Sequence, residues 1–286
     1  MLMRLFALFV TFFALGNLHG QNRTQACLDV LRQAMERSPQ FLVRMHAAEA
    51  LIANGYRNGI AAHFPLHKKL GSIERTGSAR VRARLGRRRK MARVILHEFR
   101  HADSARSRLT ALESLAKIGY RKTPASIRSL ADRGSGGFRA MAAWVVANQG
   151  TAEGKARLEM MLSSPDAAES YYAAYALRFS PSVSAVARGL LDSCATHVQP
   201  GNPGWSLVLS AYYAHASPQD LQRARQMMVQ CLHGSAGERY QVGEGLAIRG
   251  KVDDLPFLDK LLADGNEDVR VSAANAVLQI LKRNKL

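Results

Sequence analysis

Long hydrophobic segments, cysteines and acidic residues are all scarce in this chain of 286 residues. After residue 20 no stretch approaches the roughly 20 apolar residues that a bilayer crossing needs, so we expect no transmembrane segment in the mature chain. With three cysteines and nine prolines the composition excludes a disulfide-dense or collagen-like scaffold. Apolar residues make up 47%, which is enough for a packed core and excludes wholesale disorder.

The shortage of acids leaves 22 acidic residues against 40 basic ones, a formal net charge of +18. Residues 68–108 hold fourteen of the bases and three of the acids. Arginine outnumbers lysine there, which favours bidentate binding of phosphate or carboxylate groups. The sequence therefore predicts a polyanion site; the alternative is a loosely ordered insert that its charge keeps soluble. The candidate binding residues are Arg80, Arg82, Arg84, Arg87, Arg88, Arg89, Lys90 and Arg93.

The first twenty residues have the pattern of an export signal. Arg4 is followed by an apolar run over 5–15 that only Thr11 interrupts, and small residues such as Gly16 and Gly20 offer cleavage points. The run is only about half the length of a membrane span. We expect residues 1–20 to be a signal peptide and the mature protein to be soluble and periplasmic or secreted, although an uncleaved anchor is the alternative.

Sequence fingerprints of catalysis are nearly absent, since the chain has no Gly-rich phosphate loop, G-x-S-x-G elbow or Rossmann motif. The exception is an H-E-x-x-H motif from His97 to His101, which on a helix places both imidazoles on one face, as zinc requires, with Glu98 as general base. No third ligand follows at a known spacing; Glu113 is the nearest candidate. We therefore predict no enzymatic activity and no cofactor, with a zinc-dependent hydrolase as the alternative.

The remainder of the chain repeats itself. Residues 43–51 and 269–277 share five of nine residues although they lie at opposite ends of the chain. Similar anchor positions recur about every 32 residues. The anchors are 51, 115, 146, 177, 213, 246 and 277. Each anchor helix follows a second amphipathic stretch and a polar turn, and most end at a glycine suited to a left-handed C′ position. Helix–turn–helix units of this size stack on one another, so we predict an all-α, right-handed α-solenoid of about seven or eight repeats.

This pattern resembles the HEAT family, in particular the bacterial HEAT-like repeats first described around phycobilisome lyases, and less closely exported bacterial HEAT proteins associated with sodium–solute symporters. The resemblance covers about residues 25–283, with 56–90 departing from it as a degenerate, strongly basic repeat or insert within a single domain, 21–286. It implies an armadillo-like helical scaffold with a concave binding surface. It also implies turn-bracing roles for arginines at one repeat position: Arg44, Arg108, Arg139, Arg239 and Arg270.

The repeat register also bears on cysteines and aromatic residues. Cys194 and Cys231 both end the first helix of adjacent units, and stacked helices lie too far apart for a disulfide, so we expect free thiols. Tyr175 and Tyr212 belong to an aromatic cluster that either packs repeat against repeat or presents rings on the concave face.

Taken together, these patterns predict a non-catalytic binding or scaffold protein that presents its concave surface and basic region to a protein partner, an anionic polymer or a lipid headgroup. Export argues against nucleic acid. If the N-terminus were not a signal peptide, a nucleic-acid-binding solenoid resembling bacterial DNA alkylation-repair glycosylases would be the competing interpretation.

Overall fold

The computed structural model describes residues 21–285 except for 68, 198–200 and 203, so the predicted signal peptide lies outside the described residues. Throughout the described part of the chain the structure is helical and no strand is present, which confirms the all-α prediction. A helix over 21–37, α1, precedes α2 (Phe41–Ala53), α3 (Ser72–Arg82), α4 (Arg88–Arg100), α5 (Ala105–Lys117), α6 (Ala125–Arg133), α7 (Gly136–Ala147), α8 (Ala152–Met160), α9 (Ala167–Leu177), α10 (Ala185–His197), α11 (Trp205–His215), α12 (Leu221–Gln230), α13 (Ala236–Arg249), α14 (Leu255–Leu262) and α15 (Glu267–Asn284).

Side-chain caps begin several of these helices, and glycines end helices where the sequence predicts them. Asp166 accepts hydrogen bonds from two backbone N–H groups at the start of α9, and Asn266 does the same for α15. Gly55 and Gly119, which follow α2 and α5, have φ of 97° and 64°, the left-handed conformation predicted for them. Gly250 is the exception, because its φ of −58° is ordinary for any residue.

Two layers of helices form the structure. An inner series contacts its neighbours in the order α2, α3, α5, α7, α9, α11, α13 and α15, and all seven sequence anchors lie in these helices. The helices α4, α6, α8, α10, α12 and α14 pack on the outside of this series. Alanine-rich stretches such as Ala142-Ala143 in α7 and Ala173-Ala174 in α9 are fully buried. Small side chains therefore allow the inner helices to approach one another closely.

The inner series closes on itself because α15 packs against α2. Ser38 Oγ donates to Glu267 Oε2 at 2.6 Å, and His46 Nδ1 lies 2.9 Å from Asp268 Oδ1, across more than 220 residues of sequence. In the outer layer, Arg23 of α1 reaches Asp259 of α14 at 2.7 Å. The two ends of the chain therefore meet, and the inner helices surround a shared interior.

Residues 56–90 contain a complete inner helix. The other inner helices follow an outer helix, whereas the stretch before α3 has only a short 3-10 turn, Ile60–His63. The first residue of this turn, Ile60, is buried and so attaches the turn to the core. α3 contacts both α2 and α5 and fills the place between them. A π-helical turn, Ala83–Arg87, with Gly86 at a φ of 109°, then leads the chain from α3 into α4.

An arginine stands fourth in six of the eight inner helices, and most of these side chains brace a turn. Arg139 donates to the Ala131 carbonyl and to Glu169 of the next inner helix. Arg270 donates to the carbonyl groups of Asp264 and Gly265 in the preceding turn. The arginine at the same position of α3 was not predicted from the sequence. That residue is Arg75, which donates to the Leu70 carbonyl and to Glu98.

All three cysteines are free thiols, as predicted for Cys194 and Cys231. Cys231 lies just after α12 and is buried, and burial raises the pKa of its thiol to about 12. The Tyr212 and Tyr213 rings are buried as well, so they pack within the protein.

Candidate functional site

The predicted polyanion residues separate into an exposed set and an interior set. Met91, Ile95 and Phe99 attach α4 to the core, which turns the opposite side of that helix outward. We name the exposed set the basic face. It consists of Arg87, Arg88, Arg89, Lys90 and Arg93. Within the described part of the chain, none of the five forms an ion pair with a carboxylate. Lys68, which begins the basic stretch, lies outside the described residues.

Arg80 is not part of this surface, contrary to the prediction. Its side chain is 1% exposed, and its Nη2 donates to Glu49 Oε2 at 2.6 Å. Arg82 is half-buried and donates to the carbonyl groups of Phe64 and Ala61 at 2.6 and 3.0 Å, which holds the loop before α3. Arg84 faces the interior, with its Nε 3.2 Å from Glu49 Oε1. Charge alone could not separate these roles, because α3 is an inner helix and α4 an outer one.

The two histidines of the H-E-x-x-H motif lie side by side at the C-terminal end of α4, but the side chains of the motif make contacts other than those of a zinc site. The His97 and His101 rings stack at 4.3 Å, and His101 Nδ1 lies 2.9 Å from the His97 carbonyl oxygen. Glu98 is buried and accepts two hydrogen bonds from Arg75, at 2.8 and 2.9 Å. Within the described part of the chain, no third His, Cys, Asp or Glu completes a metal-binding group. Glu113, the possible third ligand, binds Lys117 at 2.8 Å.

A network of charged side chains occupies the interior of the ring. Glu49 of α2 contacts both Arg80 and Arg84. Burial alone would raise the pKa of Glu49, but the positive charges of Arg80, Arg84 and Lys117 outweigh burial and lower the pKa to about 2. Glu49 is therefore ionised at neutral pH, and it holds the two arginines against α2.

The network continues across the ring through Glu113. Tyr175 of α9 donates its hydroxyl to Glu113 Oε1 at 2.6 Å, and Lys117 binds the same oxygen. Burial, followed by the negative charge of Glu113, raises the pKa of Tyr175 to about 12. This contact joins α5 to α9 and passes over α7, so it depends on the curvature of the ring.

Arg178, which caps α9, extends the network towards α13. Its guanidinium donates to Ser210 at 3.0 Å and to Gln241, and it lies 3.4 Å from Glu244. The same guanidinium lies 4.7 Å from the centre of the Phe179 ring, within the range of a cation–π contact. Although its side chain is 1% exposed, Arg178 thus has polar and aromatic partners from three helices.

A cavity of about 440 Å³ adjoins this network. His46 lies on the wall of this cavity, and its Nδ1 is 2.9 and 3.1 Å from the two carboxylate oxygens of Asp268. The Tyr240 ring lies 5.4 Å from the imidazole. The polar residues that line the cavity are His46, Glu49, Arg84, Lys117, Tyr240, Glu244, Ser272, Asn275, Gln279 and Arg283.

The sequence analysis did not identify this interior site. One signal was present, since Glu49 interrupts an alanine-rich stretch of an inner helix and Arg80 lies in the small-residue part of α3. A charge at the centre of such a stretch requires a buried partner. The repeat pattern could not supply the partner, because it pairs neighbouring units only.

Comparison with protein-family models and with curated proteins gives no match for this chain. Of the helices that the structure describes, none combines the length and hydrophobicity needed to cross a membrane.

Proposed function

We propose that this protein is a non-catalytic binding protein that holds an anionic partner on its basic face. The observation that carries the proposal is the set of five adjacent exposed cations that have no carboxylate partner among the described residues. Elsewhere on the surface, the half-buried Arg157 and the exposed Arg223 are each paired with an aspartate. Unpaired cations of this density form a field that attracts polyanions.

The chemistry of the basic face favours a chain of phosphate, sulfate or carboxylate groups. Four of its five residues are arginines, whose guanidinium groups bind such anions with two parallel hydrogen bonds. Phe64 and Phe99, the aromatic residues that flank the basic stretch, are buried and therefore present no ring to nucleic-acid bases. An anionic polymer or a lipid headgroup array is therefore the class of partner that we propose.

We infer that the helical units are HEAT-like repeats acting as a scaffold that presents the basic face. The fourth-position arginine in six of the eight inner helices supports this assignment, because it marks a repeated turn. The apolar run over residues 5–15 supports export to the periplasm or medium. A right-handed solenoid that curves until its ends meet would reconcile the repeats with the contact between α2 and α15.

Charge reversal on the basic face tests the proposal. We expect the triple variant Arg87→Glu, Arg88→Glu and Arg89→Glu to lose retention on a heparin column at about 0.15 M salt, while its thermal unfolding stays within a few degrees of wild type, because these side chains are exposed. The matched control is Lys251→Glu, Lys260→Glu and Lys282→Glu, which makes the same change in net charge at other exposed positions. Equal retention of wild type and the arginine triple variant would refute the proposal, and equal loss in both triple variants would reduce it to an effect of net charge.

A further inference from the structure

The interior cavity has the size and lining of a small-molecule site. Its volume of about 440 Å³ lies within the range of roughly 300–1,000 Å³ that is usual for ligand pockets. Helices α2, α13 and α15 form most of its wall, so it exists only because the two ends of the chain meet. This site is separate from the basic face, which lies on the outside of the ring.

Cations outnumber carboxylates along the wall of the cavity. Arg84, Lys117 and Arg283 line it, against Glu49 and Glu244. The Arg283 side chain donates to backbone carbonyl groups of α13 and its C-terminus. Buried charges in proteins are normally balanced by an opposite charge, so a cationic surplus around a cavity favours an anionic ligand.

Arg84 is the side chain best placed to hold that anion. Its one side-chain contact among the described residues is between Nε and Glu49 at 3.2 Å, which leaves both terminal guanidinium nitrogens available. Glu49 fixes the Arg84 side chain at the edge of the cavity, where that side chain remains 30% exposed. A guanidinium fork of this kind matches the two oxygens of a planar carboxylate.

The remaining walls fit an uncharged body. Phe179, Ile248 and Val271 contribute apolar surface to the wall of the cavity, and the amides of Asn275 and Gln279 also line it. Both amides are held by Asn54, at 3.0 Å each, so their positions are fixed by a hydrogen-bonded partner. The two lining glutamates repel a doubly charged phosphate more strongly than a single negative charge.

We propose that this cavity binds a small organic monocarboxylate, whose carboxylate is held by the terminal nitrogens of Arg84 and whose apolar body lies against Phe179 and Ile248. Binding would join helices from both ends of the chain through one ligand. The ligand would therefore stabilise the closed ring in addition to occupying it.

Benzoate is the probe for this proposal, with benzamide as its neutral counterpart of the same shape and inorganic phosphate as the alternative anion. Titration calorimetry on the full chain should show saturable binding of benzoate and none of benzamide or phosphate. We expect Arg84→Gln to weaken benzoate binding at least about tenfold, the loss of one charge-assisted bidentate contact. Arg84→Lys keeps a charge beside Glu49 and should weaken binding as well, because an ammonium lacks the fork.

The matched control is Arg88→Gln, which removes the same charge from the basic face. Arg88→Gln should bind benzoate as wild type does, and Arg84→Gln should be retained on heparin as wild type is. Each proposal can therefore be refuted without affecting the other. Absence of benzoate binding, equal binding of benzamide, or a preference for phosphate would each overturn the inference. Unchanged benzoate affinity in folded Arg84→Lys and Arg84→Gln would overturn the assignment of Arg84.

Discussion

Glu49 shows how a single carboxylate can organise the interior of this protein. It is 9% exposed, yet it is ionised because Arg80 and Arg84 surround it. Its folded pKa of about 2 lies below its ordinary value of 4.5. The stabilisation that comes from this shift is complete above about pH 4.5 and is lost as the pH falls towards 2.

Replacing Glu49 should therefore have a strong effect on stability that depends on pH. We expect Glu49→Gln to lower the free energy of unfolding by about 3 kcal/mol at pH 7, because it leaves Arg80 buried without its closest charge partner. The difference between wild type and variant should shrink as the pH falls from 4.5 to 2. Urea denaturation at several pH values measures both effects. Glu36→Gln, at an exposed position of α1, is the control and should change the free energy of unfolding by less than about 0.5 kcal/mol.

At the scale of helices, the small residues of the inner layer allow neighbouring helices to pack closely against each other. Gly243 of α13 lies directly against Ser272 of α15, and a Cβ added at Gly243 would stand 2.8 Å from the Ser272 backbone carbon. Gly77 of α3 has the same role against Phe41 of α2, at 2.5 Å from the ring. Side chains at these positions would push neighbouring inner helices apart.

Replacing each of two helical glycines with alanine should therefore change the stability of the protein in opposite directions. Gly243→Ala should destabilise the protein by about 1–3 kcal/mol, because the backbone of α15 must move to admit the methyl group. Gly189→Ala, in α10, meets no atom within 4 Å and should stabilise the protein by about 0.5–1 kcal/mol through helix propensity. Thermal unfolding of both variants checks the prediction; a neutral Gly243→Ala would show that the two helices are not packed so tightly.

The sequence allowed the elements to be predicted better than their arrangement. Helix stops such as Gly119 act within one helix, so local patterns identified them. Contacts such as Tyr175 with Glu113, 62 residues away, pass over a whole repeat. They follow from the curvature of the ring, which is the sum of many small packing angles, and no local pattern specifies it.

At the scale of the whole molecule, closure arranges the inner helices around a shared interior. The contact of α15 with α2 includes polar pairs, among them Asn54 with Asn275 at 3.0 Å and His46 Nδ1 with the Asp268 carboxylate at 2.9 Å. Closure places the charged network and its cavity inside the ring and leaves the basic face outside. Both proposed binding sites therefore depend on the same architecture.

Cross-linking of residues 38 and 267 tests closure most directly. These positions are chosen because the native side chains of Ser38 and Glu267 are in contact at 2.6 Å. Ser38→Cys and Glu267→Cys would be introduced into a chain in which Cys27, Cys194 and Cys231 are replaced by alanine. A short bifunctional maleimide should join them within the monomer, as seen by peptide mass spectrometry, whereas Ser38→Cys with Glu153→Cys should stay unlinked. Cysteines 38 and 267 that react separately, or that link only between molecules, would contradict the closed ring.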